Sequence, residues 1–222
     1  MKILCISAHP DDETLGCGGA LLKHAAEGHD LFWLIATRVH EPQWSRETIE
    51  AKEKEISAVA GAYRLKDVRR LGYETTKLDA VPRGELINGI HEAIADVRPQ
   101  LVYLVHGGDI HTDHRSVFSA AMSALKPFHM GKLGVKKIVS YETLSSTDAA
   151  SAGAGDFFVP NSFQDITAYL DGKLAVMGLY KTEIQAGPLP RGVSAIRALA
   201  RCRGATIGVE YAEAFMLIRE IV

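Results

Sequence analysis

Three strand-like runs, Lys2–Ser7, Leu31–Thr37 and Leu101–Val105, alternate with segments of helical pattern, and that rhythm restricts the fold more than any other property of the chain. Leu31–Thr37 and Leu101–Val105 are apolar at nearly every position, with no alternation between an inner and an outer face. Such a run suits a strand covered on both sides. That is the usual condition of a parallel sheet, because parallel neighbours need crossover helices that then lie on its faces. Leu15–Glu27 reads as a helix stopped by Gly28, and Ser45 is placed to cap a second one through Val59, with Gly61 as its stop. Val68–Leu71 is a short strand. Gly84–Val97 is a helix whose Leu86, Ile90, Ala93, Ile94 and Val97 share one face before Pro99 closes it. A helix to about Leu125 and a strand at Lys137–Tyr141 continue the order. Asp165–Tyr180 and Val193–Arg203 have helical patterns, whereas Tyr211–Ile221 fits either element, with a late strand favoured at Ala214–Ile218. The pattern predicts an α/β fold, a Rossmann-like three-layer α/β/α sandwich around a mostly parallel sheet.

At 222 residues, with 47% apolar and 23% charged side chains, the chain has the size and balance of one well-buried globular unit, so residues 1–222 are expected to form a single domain. A formal charge of −2 argues against a nucleic-acid-binding surface. Leu31–Ala36 is far too short for a membrane span, and the short apolar run at Met1–Ser7 leads straight into charged residues, unlike a cleaved signal segment. Cys5, Cys17 and Cys202 offer neither a disulfide framework nor a thiolate zinc motif. A cytoplasmic protein is expected. The Ser-, Ala- and Gly-rich segment Ser145–Asp156 is a surface loop long enough to serve as an active-site flap. Apolar faces can meet their own core or a second copy equally well, which leaves a homo-oligomer open.

The chemistry concentrates behind two of the strands. Ala8-His9-Pro10-Asp11-Asp12-Glu13 follows the first, and one imidazole with three carboxylates would repel and desolvate one another there unless a cation sat among them. His106-Gly107-Gly108-Asp109-Ile110-His111-Thr112-Asp113-His114 follows Leu101–Val105. Open α/β sheets bind ligands beyond the carboxyl ends of their strands, so the two clusters would meet if the two strands are neighbours. Nitrogen and carboxylate donors without thiolate favour Zn2+ in a catalytic arrangement, with one position left for water; other divalent transition metals accept similar donors. Gly16-Cys17-Gly18-Gly19 lacks the spacing of a dinucleotide loop, and close packing of the first helix explains it better. Glu13 is read as a loop-ordering acceptor or a helix N-terminal charge, and Asp109 as a turn former. His24, His29, His40, His91 and His129 show no ligand-like spacing, and Arg191 is expected in solvent.

The pattern A-H-P-D-D-E, with Gly16-Cys17-Gly18-Gly19 behind it and His111-Thr112-Asp113-His114 later, resembles the LmbE-like family, also called the PIG-L deacetylases. Its members are zinc-dependent enzymes that remove an acyl group, commonly acetyl, from an amino sugar. The resemblance is strongest at residues 3–22 and 101–118, and it departs from the family's usual pattern at Thr112, where Pro is common. It implies His9, Asp12 and His114 as metal ligands and Asp11 as the general base acting on a zinc-activated water. It also implies His111 as an acid or electrostatic partner at the carbonyl, with Asp113 orienting it, and Arg46 as a substrate-binding residue. The implied partner is a small N-acetyl amino sugar or its conjugate. The residues themselves agree with this, since His9 and Asp12 stand three apart with Pro10 restricting the turn between them. Two alternatives share the same ligands: a metal-dependent hydratase or lyase, and a non-catalytic sugar- or metal-binding module.

Overall fold

The computed structural model describes residues 1–151 and 157–222. Among these, strands β1 (Lys2–Ser7), β2 (Asp30–Arg38), β3 (Asp67–Glu74), β4 (Leu101–Val105), β5 (Lys137–Tyr141), β6 (Ser162–Asp165) and β7 (Ala212–Glu220) form one sheet in the order β3-β2-β1-β4-β5-β7-β6. The first five pair in parallel, and β7 runs antiparallel to both β5 and β6. The helices are α1 (Asp12–Ala26), α2 (Arg46–Ala62), α3 (Arg83–Val97), α4 (Thr112–Ala124), α5 (Pro127–Leu133), α6 (Leu170–Met177) and α7 (Val193–Ile207).

The chain leaves β1 toward β2 and β3 on one side, then returns to build β4 and β5 on the other. Parallel crossovers are right-handed, so the helices of the two halves cover opposite faces. Accordingly α1 packs with α6, and α6 with α7, while α3 packs with α4. The expected three layers are present. Ile3, Leu4, Ile6, Leu34, Val102 and Leu104 are wholly buried in the middle of the sheet. No described helix is long and apolar enough to cross a membrane.

One expectation changed. The helical pattern over Asp165–Tyr180 yields a helix only at Leu170–Met177, because residues 162–165 pair as β6 along Ala212–Phe215 of β7. Without β6 that side of β7 would have no ladder partner, and tertiary pairing outweighs local preference for so short a segment. Within Tyr211–Ile221 the strand favoured at Ala214–Ile218 is present and extends to Ala212–Glu220 as β7. Of the loop Ser145–Asp156, residues 152–156 lie outside the described residues.

The glycines behind the first motif are packing glycines. A Cβ on Gly16 would stand 2.0 Å from Cδ2 of the buried Tyr141 on β5, and one on Gly19 would stand 2.7 Å from Ile166. Helix α1 is thus pressed onto the sheet where the site begins. It is also broken at Cys17, whose backbone is non-helical, and the freed amides of Gly19 and Ala20 donate to the Glu213 carboxylate at 2.8 Å each. Lys173 pairs with the same carboxylate at 2.7 Å and donates to the Leu15 carbonyl at 2.8 Å, closing a buried plug between α1, α6 and β7. Gly16→Ala should cost about 1–3 kcal/mol by overpacking. Urea unfolding would measure this, and an unchanged midpoint would contradict the packing account.

Candidate metal centre

β1 and β4 are neighbours, so the segments leaving their carboxyl ends emerge side by side at the point where strand order reverses. His9 sits in the turn between β1 and α1, Asp12 opens α1, and His114 lies in the first turn of α4. His9 Nδ1 and His114 Nε2 stand 3.3 Å apart, Asp12 Oδ1 is 3.3 Å from the same Nε2, and Asp12 Oδ2 is 3.8 Å from His9 Nδ1. Donors of a tetrahedral ion with bonds of about 2.0–2.1 Å lie roughly 3.3–3.5 Å from one another, so this trio fits a zinc-like cation with little rearrangement. The His111 ring adds a third imidazole, its centroid 4.4 Å from that of His9 and 5.0 Å from that of His114. One nitrogen from each of the three rings falls within a 4.8 Å group.

Each donor is aimed by a partner behind it. His114 Nδ1 meets Asp109 Oδ2 at 2.7 Å with both side chains buried, which leaves Nε2 facing the centre. His9 Nε2 meets Asp113 Oδ2 at 2.9 Å, and Asp12 Oδ2 accepts the amides of Ala8 and His9 at 3.0 and 2.9 Å. A carboxylate behind a ligating histidine fixes its tautomer and raises its basicity. Asp109→Ala should therefore lower metal affinity by roughly 10–100-fold, measured by competition with a chromogenic chelator; unchanged affinity would remove Asp109 from the centre. Asp109 was read from sequence as a turn former. Its spacing of five residues before His114, in the same loop-to-helix segment, was the signal that could have found it.

The expected role of Asp113 needs correction. Its carboxylate holds His9 and accepts the amides of Thr76 and Leu78 at 2.7 and 3.2 Å, rather than orienting His111. His111 Nδ1 instead accepts the Asp113 backbone amide at 3.2 Å, so a neutral His111 carries its proton on Nε2. Burial, with the positive charge of His9 and His114 beside it, lowers the His111 pKa to about 4. Of the two roles the resemblance implies for His111, a charged acid is thereby disfavoured at neutral pH. Burial opposes charge on His114 as well, but Asp12 and Asp109 overcome it and push its pKa up to about 10. Burial likewise opposes ionisation of Asp12, and His114 and His9 win, holding that carboxyl well below the usual carboxylate range. A site that draws a proton so strongly onto His114 is one in which a cation can replace it.

Asp11 stands beside this trio with a φ of 108°, a left-handed conformation that costs a non-glycine residue about 1–3 kcal/mol. Its amide donates to Glu13 Oε2 at 3.1 Å. Glu13 Oε1 in turn accepts Tyr180 and Thr14 hydroxyls at 2.7 and 2.5 Å. Glu13 is thus the loop-ordering acceptor, and it braces Asp11 from beneath. Burial raises the Asp11 pKa well above its ordinary value, with Asp12 and Glu183 adding to the rise and Arg191 opposing it. Arg191 was expected in solvent; its Nη1 lies 3.6 Å from Asp11 Oδ2 and 3.1 Å from Glu183 Oε2.

These groups floor a cleft of about 640 Å³ whose walls include Trp44, Thr48, Lys52, Arg38, Ile110 and Ser146. Arg46 does not line it. The Arg46 side chain is 83% exposed and pairs with Glu50 one turn along α2, because Ser45 caps the helix and turns the next residue outward. The structure therefore does not bring Arg46 into the site.

Fold and geometry together define a class: an α/β protein carrying a histidine–carboxylate centre at the switch point of its sheet. The chain belongs to the PIG-L family, described as GlcNAc-PI de-N-acetylase, which it matches over residues 4–125. It is 28% identical over 132 residues to a probable N-acetyl-alpha-D-glucosaminyl L-malate deacetylase 2 of Bacillus anthracis, covering 55% of this chain and 58% of the relative, less than two thirds of its length. It is 25% identical to the diacetylchitobiose deacetylase of Thermococcus kodakarensis, over 98% of this chain and 83% of that protein. Among solved structures, the 4-carboxy-2-hydroxymuconate hydratase GalB of Pseudomonas putida KT2440 matches with a TM-score of 0.75 at 17% identity, covering 100% of this chain and 97% of that one. That likeness is one of fold.

Proposed function

We propose that the protein is a metal-dependent deacetylase that hydrolyses the N-acetyl amide of an amino sugar or its conjugate, working in the cytoplasm as a single domain over residues 1–222. The proposed ligands are His9, Asp12 and His114, and the proposed ion is Zn2+ or another divalent transition metal. Support comes from relatives described as a probable N-acetyl-alpha-D-glucosaminyl L-malate deacetylase and a diacetylchitobiose deacetylase. The observation that carries the reading is a buried carboxylate, Asp11, left free of the donor trio yet next to it in sequence and lining the same cleft. Three unpaired cysteines accord with a reducing compartment.

Bound to the trio, the ion would supply Lewis acidity for water activation and carbonyl polarisation. The rest falls to the protein's own side chains. Asp11 takes a proton from the attacking water, a role helped by its raised pKa, and Arg191 limits that rise so that the carboxylate form persists. As the hydroxyl adds to the amide carbon, His111 donates its Nε2 proton as a hydrogen bond to the developing oxyanion, acting as a neutral donor. Asp11 then returns its proton to the nitrogen, the C–N bond breaks, and acetate and the free amine leave. Asp113 acts on this sequence only by steadying His9.

A hydratase could use the same ligands, and the likeness to GalB makes that second reading concrete. Acetate release from a panel of N-acetyl amino sugars and their conjugates separates the two. Metal-dependent acetate formation is the expected result; hydration of an unsaturated acid without acetate release from any sugar would replace the deacetylase reading. No turnover on either panel, with metal bound, would favour a binding module.

A further inference from the structure

A second histidine–carboxylate cluster lies at the opposite end of the sheet from the cleft. His24 is on the last turn of α1, Glu27 caps that helix, and His29 immediately precedes β2. Gly28 makes the juxtaposition, because its φ of +78° reverses the chain and returns His29 alongside His24. The two rings stand 5.5 Å apart, and Glu27 Oε2 lies 3.6 Å from His24 Nδ1 and 3.5 Å from His29 Nε2. One donor atom from each residue falls within a 4.8 Å group.

His24 is the telling member. Its ring is buried, its Nε2 is engaged by the Tyr103 hydroxyl at 2.9 Å, and its Nδ1 has no hydrogen-bond partner. A buried imidazole nitrogen left unsatisfied and turned toward a carboxylate and a second imidazole is the arrangement of a ligand awaiting its ion. Tyr103 fixes which nitrogen is offered. Burial favours the neutral imidazole, which is the ligating form. The carbonyl end of α1 adds a favourable potential for a cation.

We propose that His24 Nδ1, Glu27 Oε2 and His29 Nε2 form a second site for a divalent transition metal, with solvent completing its coordination. Two nitrogens and one oxygen suit Zn2+, Co2+ or Ni2+ over Mg2+ or Ca2+. The two separations to Glu27, 3.5 and 3.6 Å, are close to those between donors on such an ion, and binding through His29 Nε2 would move that ring's proton to Nδ1, which gives up its 3.4 Å contact with the N-terminal ammonium. The site would staple the end of α1 to the start of β2. Because α1 begins with Asp12, an ion there would stabilise the element that carries that one member of the cleft's proposed trio without touching substrate.

The test is Zn2+ uptake by the untagged full-length chain after chelator stripping, read by titration calorimetry and elemental analysis. The wild type should bind two equivalents, and His29→Ala, a partly exposed substitution, should bind one with acetate release within about twofold of wild type. Glu27→Gln should weaken the same equivalent. His9→Ala should still bind one, and Zn2+ should raise its melting temperature but not that of the His9→Ala/His29→Ala double variant. Equal uptake by wild type and His29→Ala would overturn the proposal, as would no uptake by His9→Ala. One equivalent in both wild type and His9→Ala, lost in His29→Ala, would support this site while sinking the ligand assignment in the cleft.

Discussion

Replacing Asp11 by Asn is expected to reduce turnover by roughly 10²–10⁴-fold, the usual contribution of a positioned general base, while metal content stays unchanged. Asn matches Asp in size and keeps the backbone amide that Glu13 accepts, so the strained turn should persist. What it loses is a lone pair able to take a proton and, later, the proton itself to give to the amine. The burial and repulsion that raise the Asp11 pKa make the carboxylate a better proton acceptor, which fits a residue that must gain and then lose a proton. Arg191→Ala should make the same carboxyl harder still to ionise, because it removes a cation that opposes Asp12 and Glu183. Near-normal turnover in Asp11→Asn would exclude the base assignment outright.

His114→Ala is expected to lose one equivalent of bound metal and all measurable deacetylation together. His114 is the member shared by the two shortest donor separations, 3.3 Å to His9 and 3.3 Å to Asp12, so its loss leaves the trio only His9 and Asp12, 3.8 Å apart. In the metal-free chain Asp12 and Asp109 keep its imidazole protonated up to about 10. Metal uptake must then release that proton, so affinity should rise with pH, by up to about tenfold per unit below that pKa. The sign is definite: acid competes with the ion, and alkali favours it. Elemental analysis of the purified variant and affinity measured across pH check the two statements. Undiminished metal, or affinity independent of pH, would mean that His114 is not a ligand.

Both expectations rest on residues that local pattern already marked. The clusters after β1 and β4 could be singled out because an apolar run of strand length ending in several titratable groups is unusual, and because parallel strands bring such ends to one rim of the sheet. The caps were local too: Ser45 accepts the Thr48 amide at 3.2 Å where the sequence put a helix start. Where sequence failed, the deciding partner was far away along the chain. Arg191 reaches Asp11 across 180 residues, Asp113 turns out to steady His9 rather than its neighbour His111, and β6 exists because β7 offers it an edge. Arg46 failed for the opposite reason, since its distance from the site follows from the helix phase that Ser45 sets.

The amino-acid sequence by itself determined the layer architecture, the two segments rich in histidine and carboxylate, and the family, since hydrophobic period, helix caps and short motifs are written within a few residues of one another. Only the tertiary structure decided which carboxylate stands behind which imidazole, which arginine faces the base, and that His24 and His29 converge on Glu27. Those pairings depend on how separate loops lie across the rim and end of one sheet, and a side chain's partner across such a gap leaves no periodic trace in the chain that carries it.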